Sequence, residues 1–275
     1  MVYILILLAP IIGGLIYGTE RVVRARMQNR VGPPIVQPFY DFMKLLDKRV
    51  FIIHSFHSFM AVMHFFGVWV ALALLLIGID LLIVIFFHLL AMSFLLIGAY
   101  SVRSIYSHIG ANRELQMMVI YEPIFAFCAF GFYMLSGSFE ASKIFSLDFA
   151  PIVYLPALFV AFIVASIIKL KKSPFDYSDA HQEIIGGAEI EYSGIFFEAL
   201  YTAKWLDYLY VYIFAFLFAG NNIWLGSILA ISIFLLINLI DNSTTRIQYD
   251  KIIKYILPIL VIIVVINLMV LKVVL

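Results

Sequence analysis

Ser173-Pro-Phe-Asp-Tyr-Ser-Asp-Ala-His-Gln-Glu-Ile-Ile-Gly-Gly-Ala-Glu-Ile-Glu-Tyr-Ser-Gly-Ile-Phe-Phe-Glu198 is the stretch on which the reading of this chain turns. It carries six carboxylates, Asp176, Asp179, Glu183, Glu189, Glu191 and Glu198, of the 17 Asp and Glu present in 275 residues. Long apolar runs flank it on both sides. Acidic groups beside or inside a bilayer are costly and are retained mostly where ions or protons move. The rest of the chain reads as a helical scaffold around this loop.

Composition sets the class. The hydrophobic fraction is 64%, only 13% of residues are charged, and the mean hydropathy is +1.06. Soluble domains run near 45–50% apolar and about 25% charged, so the chain reads as an integral membrane protein, all-α, a single membrane domain over 1–275. The lone cysteine, Cys128, lies in an apolar run. One thiol holds no iron–sulfur cluster, which takes about four ligands, and makes no internal disulfide. A net charge of +1 gives no reason to expect nucleic acid. The first charge is Glu20, with no basic segment before the first apolar run, so a cleavable signal is not expected.

Working outward from the acidic loop, eight runs reach the ~20 residues a span needs: roughly 2–20, 57–78, 81–101, 117–137, 150–170, 200–220, 223–241 and 254–273. Lys and Arg fall 16 to 2 on opposite sides of such a bundle. That asymmetry makes the odd loops cytoplasmic (21–56, 102–116, 171–199 and 242–253) and both termini outside. The sixth run is informative. Its uncharged part, Tyr208 to Gly220, has 13 residues, about 20 Å of helix, against a core of ~30 Å. The helix must extend back past Asp207 and Lys204 towards Ser193, which sets Glu191 and Glu198 near the cytoplasmic surface. Lys204 and Asp207, three apart, are expected to pair.

Inside the acidic loop, Ser173-Pro174 reads as N-cap and first turn of a helix. Asp176, Asp179 and Glu183 would share one face of it, and Gly186-Gly187 would end it. His181 adds a group suited to proton exchange near neutral pH. In the first loop, Gly32-Pro33-Pro34 is a rigid turn. A short amphipathic helix follows, with Phe39, Phe42, Met43 and Leu46 on one stripe, suited to the membrane surface or a partner. Arg21, Arg24, Arg26, Arg30 and Lys44 make this loop basic. Tyr121-Glu122-Pro123 puts a carboxylate beside a proline that removes a helical donor, a candidate proton-relay station. His54, His57 and His64 fall near one helical face, but zinc takes about four ligands, and interfacial or core histidines are the better reading. His88 reads as a core or pore group.

Four motifs carry a resemblance: Glu20-Arg21 with Arg26-Met27-Gln28-Asn29-Arg30-Val31-Gly32-Pro33; Gln37-Pro38 with Lys44-Leu45; Ala111-Asn112-Arg113-Glu114 with Tyr121-Glu122-Pro123; and Ser173-Pro174-Phe175-Asp176 through Glu191-Tyr192-Ser193-Gly194. Over roughly residues 10–240 the chain resembles the H-subunit family of the respiratory complex I membrane arm and its relatives in membrane-bound nickel–iron hydrogenases. Two features resemble the hydrogenase branch: only Pro34-Ile35-Val36 separates the Gly-Pro turn from Gln37-Pro38, and Ala180-His181-Gln182-Glu183 stands where complex I forms carry a run of Ala and Glu. The resemblance implies a non-catalytic anchor subunit of an oxidoreductase complex in a prokaryotic cell membrane. A hydrogenase-like large subunit and an iron–sulfur small subunit would dock on its loops, with antiporter-like and small membrane subunits alongside. The nickel–iron centre and the clusters would belong to those partners, with no cofactor in this chain. It implies a coupling path through Glu122, Asp176, Asp179, His181, Glu183, Glu189, Glu191, Glu198 and Asp207. A quinone-site subunit of a complex I-like dehydrogenase and a stand-alone secondary transporter are the alternatives.

Overall fold

A computed structural model describes residues 2–248 and 251–274, with His181 and Val274 by backbone only. Among the described residues there is no β-strand; a single isolated antiparallel bridge joins Asp80 and Glu140. The helices are α1 (Val2–Met27), α2 (Gln37–Asp47), α3 (Ser55–Ile77), α4 (Leu81–Tyr100), α5 (Ile105–Ser136), α6 (Ala141–Phe145), α7 (Pro156–Lys169), α8 (His181–Ile184), α9 (Gly194–Phe216), α10 (Ile223–Ser243) and α11 (Leu257–Val274), the last preceded by a π-turn at Ile252–Ile256.

Among the described residues, six helices are long and apolar enough to cross a membrane: α1, α3, α4, α5, α10 and the segment Ile252–Val273. The other two expected spans differ from these in instructive ways. At 23 residues, about 35 Å, α9 has the length, and it starts at Gly194 as the length argument required. Glu198, Lys204 and Asp207 keep its apolarity low. The helix α7 has only 14 residues, because Pro156 sets its start and the chain before it is taken up by a short turn at Pro151–Val153. The segment 102–116, read as a loop, is largely helix: α5 begins at Ile105 and runs 32 residues through Pro123, so Glu122 lies in its middle rather than one turn in.

The chain forms two compact units. The first comprises residues 1–73, 87–115 and 176–209. Here α1 is a narrow helix where others approach. A methyl at Gly13 would lie 2.6 Å from the Trp205 carbonyl oxygen, and one at Gly14 2.8 Å from the Phe39 ring. Those glycines let α9 and α2 pack onto α1. Trp205 is 1% exposed and meets Phe39 and Phe42 at ring distances of 5.5 and 6.2 Å. Half of the α2 stripe is thereby packed, while Met43 and Leu46 stay exposed. That division suits a helix with one edge on protein and the other on lipid.

The second unit comprises residues 74–86, 116–175 and 210–275. Its core is aromatic: Phe125, Phe132, Phe159, Phe162, Phe214 and Phe218 stack with ring centroids 4.8–6.4 Å apart. Edge-to-face pairs of this kind add roughly 0.5–1.5 kcal/mol each beyond burial. The Asn267 side chain ties α11 to the start of α7, accepting from the Leu158 N–H at 3.0 Å and donating to the Tyr154 carbonyl at 3.2 Å.

The acidic loop does not form the helix expected of it. The Ser173–Pro174 peptide is cis. The Ser173 N–H donates to the Asp241 carboxylate at 2.9 Å, and the Phe175 N–H, which a capping Ser173 would accept from, goes to the Lys172 carbonyl at 2.7 Å. A 3₁₀ turn at Asp176–Asp179, the four residues of α8 and a second 3₁₀ turn at Gly187–Glu189 follow. Local helix propensity here is overridden by tertiary partners.

Candidate functional site

The first unit pairs two carboxylates of the loop with cations on other helices, and an α9 carboxylate with a histidine on α4. Glu183 Oε2 lies 2.7 Å from Arg113 Nη1 on α5. Arg113 also donates to the Tyr177 carbonyl at 3.2 Å, and its guanidinium stacks 4.0 Å over the Tyr177 ring. Glu189 Oε2 lies 2.7 Å from Lys204 Nζ on α9, with Asp179 also within electrostatic reach of that ammonium. Asp207 Oδ1 lies 3.0 Å from His88 Nε2 on α4. The expected Lys204–Asp207 pair is therefore replaced. Three residues apart on α9, the lysine turns to the loop and the aspartate to α4.

The loop can sit this close to α5 because glycine faces glycine. A Cβ at Gly110 would collide with the backbone of Gly187 and Ala188, and Gly187 holds φ at +52°, a left-handed geometry that glycine adopts without a steric penalty. At the loop's far end Tyr192 stacks on His57 at 3.8 Å, and its hydroxyl is buried without a hydrogen-bond partner. Burial, reinforced by the Glu189 charge, raises the Tyr192 phenol above its ordinary range, so it stays protonated at neutral pH.

The remaining sequence-predicted residues are placed as follows. Glu198 is buried and bonded to the Thr202 hydroxyl one turn on. Glu191 is half-buried, within electrostatic reach of His57. Asp176 is half-buried. Glu122 is 7% exposed on α5 in the second unit. The side chain of His181 lies outside the described residues. Sequence reasoning passes over His88 as a partner, since nothing local marks it: Asp207 is 119 residues away. It also misses the buried Glu20, which binds Arg24 at 2.8 Å. An i, i+4 Glu–Arg spacing is the available signal.

Among the residues expected to dock a partner, Arg26, Arg30 and Lys44 are exposed. Arg21 and Arg24, with Arg30, Ala25, Gly32 and Pro33, line a cavity of about 480 Å³. Arg21 binds Asp41 at 2.9 Å, and Gln37 adds a 2.8 Å bond to the same carboxylate. Burial pushes the Asp41 carboxyl up, but bonds from Arg21 and Gln37 and the charges of Arg21 and Lys44 outweigh it and hold it below its ordinary 3.8. A depressed carboxylate stabilises the fold above its unfolded-state value and loses that contribution as pH falls through the folded-state one. Asp41→Asn should therefore melt below wild type at pH 7, by an amount matching roughly 0.5–1 kcal/mol for a partly exposed pair. The two melting midpoints should converge once the pH drops below the Asp41 pKa. A gap that persists at low pH would leave the tie with no electrostatic role.

Comparison with known proteins identifies the family. A family model for NADH dehydrogenase matches residues 1–272. The H subunit of the NADH-quinone oxidoreductase of Acidovorax sp. (strain JS42) is 29% identical across 92% of this chain and 84% of that protein. Its counterpart from Dehalococcoides mccartyi (strain ATCC BAA-2266 / KCTC 15142 / 195) is 30% identical across 84% and 73%. In the solved structure of the membrane-bound sulfane sulfur reductase, an archaeal respiratory membrane complex, one chain superposes with a TM-score of 0.87 at 21% identity, covering 98% of both chains; this likeness speaks to the fold alone. The chain, an all-helical membrane subunit of a complex I-like respiratory complex, belongs to the NADH dehydrogenase family, that of the complex I H subunit.

Proposed function

We propose that this chain is the membrane anchor of an energy-converting complex of the hydrogenase or sulfur-reducing type, coupling a docked redox arm to proton or sodium translocation. The observation that carries the coupling reading is the set of pairs Glu183–Arg113, Glu189–Lys204 and Asp207–His88. The first two hold opposite charges on different elements and the third sets a carboxylate against an imidazole, so a charge change at one end of the loop alters which group is protonated. Glu122, buried beside Pro123 on α5, is a further station towards lateral membrane subunits. Eight spans, cytoplasmic segments at 21–56, 102–116 (largely the first turns of α5), 171–199 and 242–253, and both termini outside complete the topology, in a prokaryotic cell membrane. The Lys and Arg asymmetry supports that orientation.

Docking falls to the exposed Arg26, Arg30 and Lys44 and to the Arg21–Arg24 cavity. Arginine's fork suits partner carboxylates, and such contacts weaken with salt. The hydrogenase-type branch rests on the short Pro34-Ile35-Val36 link and Ala180-His181-Gln182-Glu183. Affinity-tagged chain recovered from mild-detergent membranes should carry nickel and iron, held by a large and an iron–sulfur subunit. Replacing Arg26 and Arg30 with Ala should release that metal-bearing arm at about half the salt wild type withstands. Full retention across a salt series would reduce the loop to a topology signal. The names of the curated relatives favour one other reading, a quinone-reducing complex. Bound quinone without nickel in the same preparation would decide for it.

A further inference from the structure

The uncharged part of α1 runs from Val2 to Thr19, 18 residues or about 27 Å of helix, which matches a hydrocarbon core of ~30 Å. Arg21 and Arg24 follow within two turns, so they stand in the layer where phospholipid phosphates lie. The chain then folds back over that end of the helix. The Gln28, Asn29 and Arg30 N–H groups donate to the Arg24, Arg26 and Ala25 carbonyls at 3.1, 3.0 and 2.8 Å. Gly32 holds φ at +79°, and a Cβ there would lie 2.8 Å from the Ala25 Cβ, so the turn closes this tightly only with glycine. Arg30, Gly32 and Pro33 thereby face Arg21, Arg24 and Ala25 across the cavity of about 480 Å³. We infer that this cavity is a binding site for the headgroup phosphate of an anionic phospholipid from the surrounding leaflet.

The donor set selects the ligand. A guanidinium carries five N–H groups in a fixed fork, so it can serve a protein oxygen on one edge and an anion on another. Arg21 binds Asp41 through Nη1, Arg24 binds Glu20 through Nη2, and Arg30 binds Gln28 through Nη2. Those bonds aim the forks before any ligand arrives, which lowers the cost of ordering them. Arg21 and Arg24 are still 35% and 34% exposed, so the forks are reachable. A carboxylate offers two oxygens and is satisfied by one fork; a phosphate has oxygens for several. Three arginines converging on one cavity therefore suit a phosphate.

The surroundings select the sign of the headgroup. Among the described residues, none that lines the cavity is acidic. Glu20 and Asp41 stand behind the arginines, and Lys44 lies 3.9 Å from Asp41. An ammonium-bearing headgroup would meet guanidiniums in this cavity, whereas one with net negative charge is attracted throughout. The negative end of the α1 dipole does not oppose this, because the three carbonyls at its end are capped by the returning chain. Basic pockets beside the cytoplasmic ends of membrane helices take anionic headgroups in this way. A lipid held here fills the cavity beneath a docked arm and leaves the exposed Arg26 and Lys44 to meet the arm itself.

The test uses the whole complex in mild detergent and a phosphatidylglycerol analogue with a diazirine on its glycerol backbone. Illumination should label the segment 21–33, read by peptide mass spectrometry. Unlabelled short-chain phosphatidylglycerol should compete for the label, phosphatidylcholine of the same chain length much less. Inorganic phosphate at the same concentration should not. Arg30→Gln, at an exposed position, should label about tenfold more weakly, the loss expected of one charge-assisted contact. Arg24→Gln combined with Glu20→Gln, which strands no buried carboxylate, should behave alike. Label confined to other segments, or equal labelling of wild type and both variants, overturns the site. Equal competition by phosphatidylcholine overturns the choice of an anionic headgroup, and displacement by inorganic phosphate makes this a site for a soluble anion. Label that appears only after high salt has stripped the redox arm means that a partner side chain occupies the cavity, and overturns the lipid. If neither variant assembles, the competition series on wild type decides alone.

Discussion

Glu189→Gln should sever redox turnover from ion pumping: with an artificial donor the detergent-solubilised complex is expected to keep turning over, while sealed vesicles build little or no gradient. The reason lies in the Lys204 ammonium, 2.7 Å from Glu189 Oε2. Glu189 is 11% exposed and Lys204 30%. Removing one partner of a buried pair costs about 3–5 kcal/mol when the remaining charge is stranded. The partial exposure of Lys204 places this case near the bottom of that range. A companion variant, Glu189→Gln with Lys204→Met, removes both charges and should recover assembly without recovering pumping. Glu183→Gln, whose partner Arg113 keeps the Tyr177 carbonyl and ring, should be milder for assembly and still uncouple. If all three variants assemble, react and pump like wild type, the loop is a solvated connector. If turnover and pumping fall together, the loop serves the redox site directly.

Gly110→Val should produce the second large effect, and through packing rather than charge. Any Cβ at this position meets the Gly187–Ala188 backbone, which has no side-chain rotation to offer in relief. Overpacking a tight contact costs typically 1–3 kcal/mol, more where backbone opposes it. The loop is expected to lift from α5, and with it the Glu183–Arg113 pair three residues further along that helix. Limited proteolysis should then cut between Tyr177 and Glu191 much faster than in wild type, and ion pumping should fall along with it. Gly110→Ala should show the same pattern less severely. Unchanged proteolysis and pumping in both variants would mean that the glycine pair does not hold the loop in place.

The two predictions bear on different features of one loop. Charge pairing determines what the loop can do with a proton, and the glycine contact determines whether the loop is close enough to do it.

Much of this was determined by the sequence alone. The membrane class follows from composition because water-exposed helices cannot be this apolar. The extension of α9 back to Gly194 followed from length, since 13 uncharged residues fall short of a bilayer. The stripe of α2 was legible because helical period and side-chain type coincide there. The family was legible in four motifs, each of several adjacent residues. The tertiary structure alone decided who pairs with whom. Lys204 and Asp207 are neighbours on one helix, yet each finds its partner elsewhere, Asp207 at a distance of 119 residues. In a low-dielectric interior a charge is governed by whichever opposite charge is buried beside it, and sequence spacing does not carry that information. The loop's conformation was hidden for the same reason. Its N-cap signal at Ser173 is genuine as local chemistry, but Asp241, 68 residues away, holds the Ser173 N–H, the Phe175 N–H that would be capped goes to the Lys172 carbonyl, and the expected helix does not form.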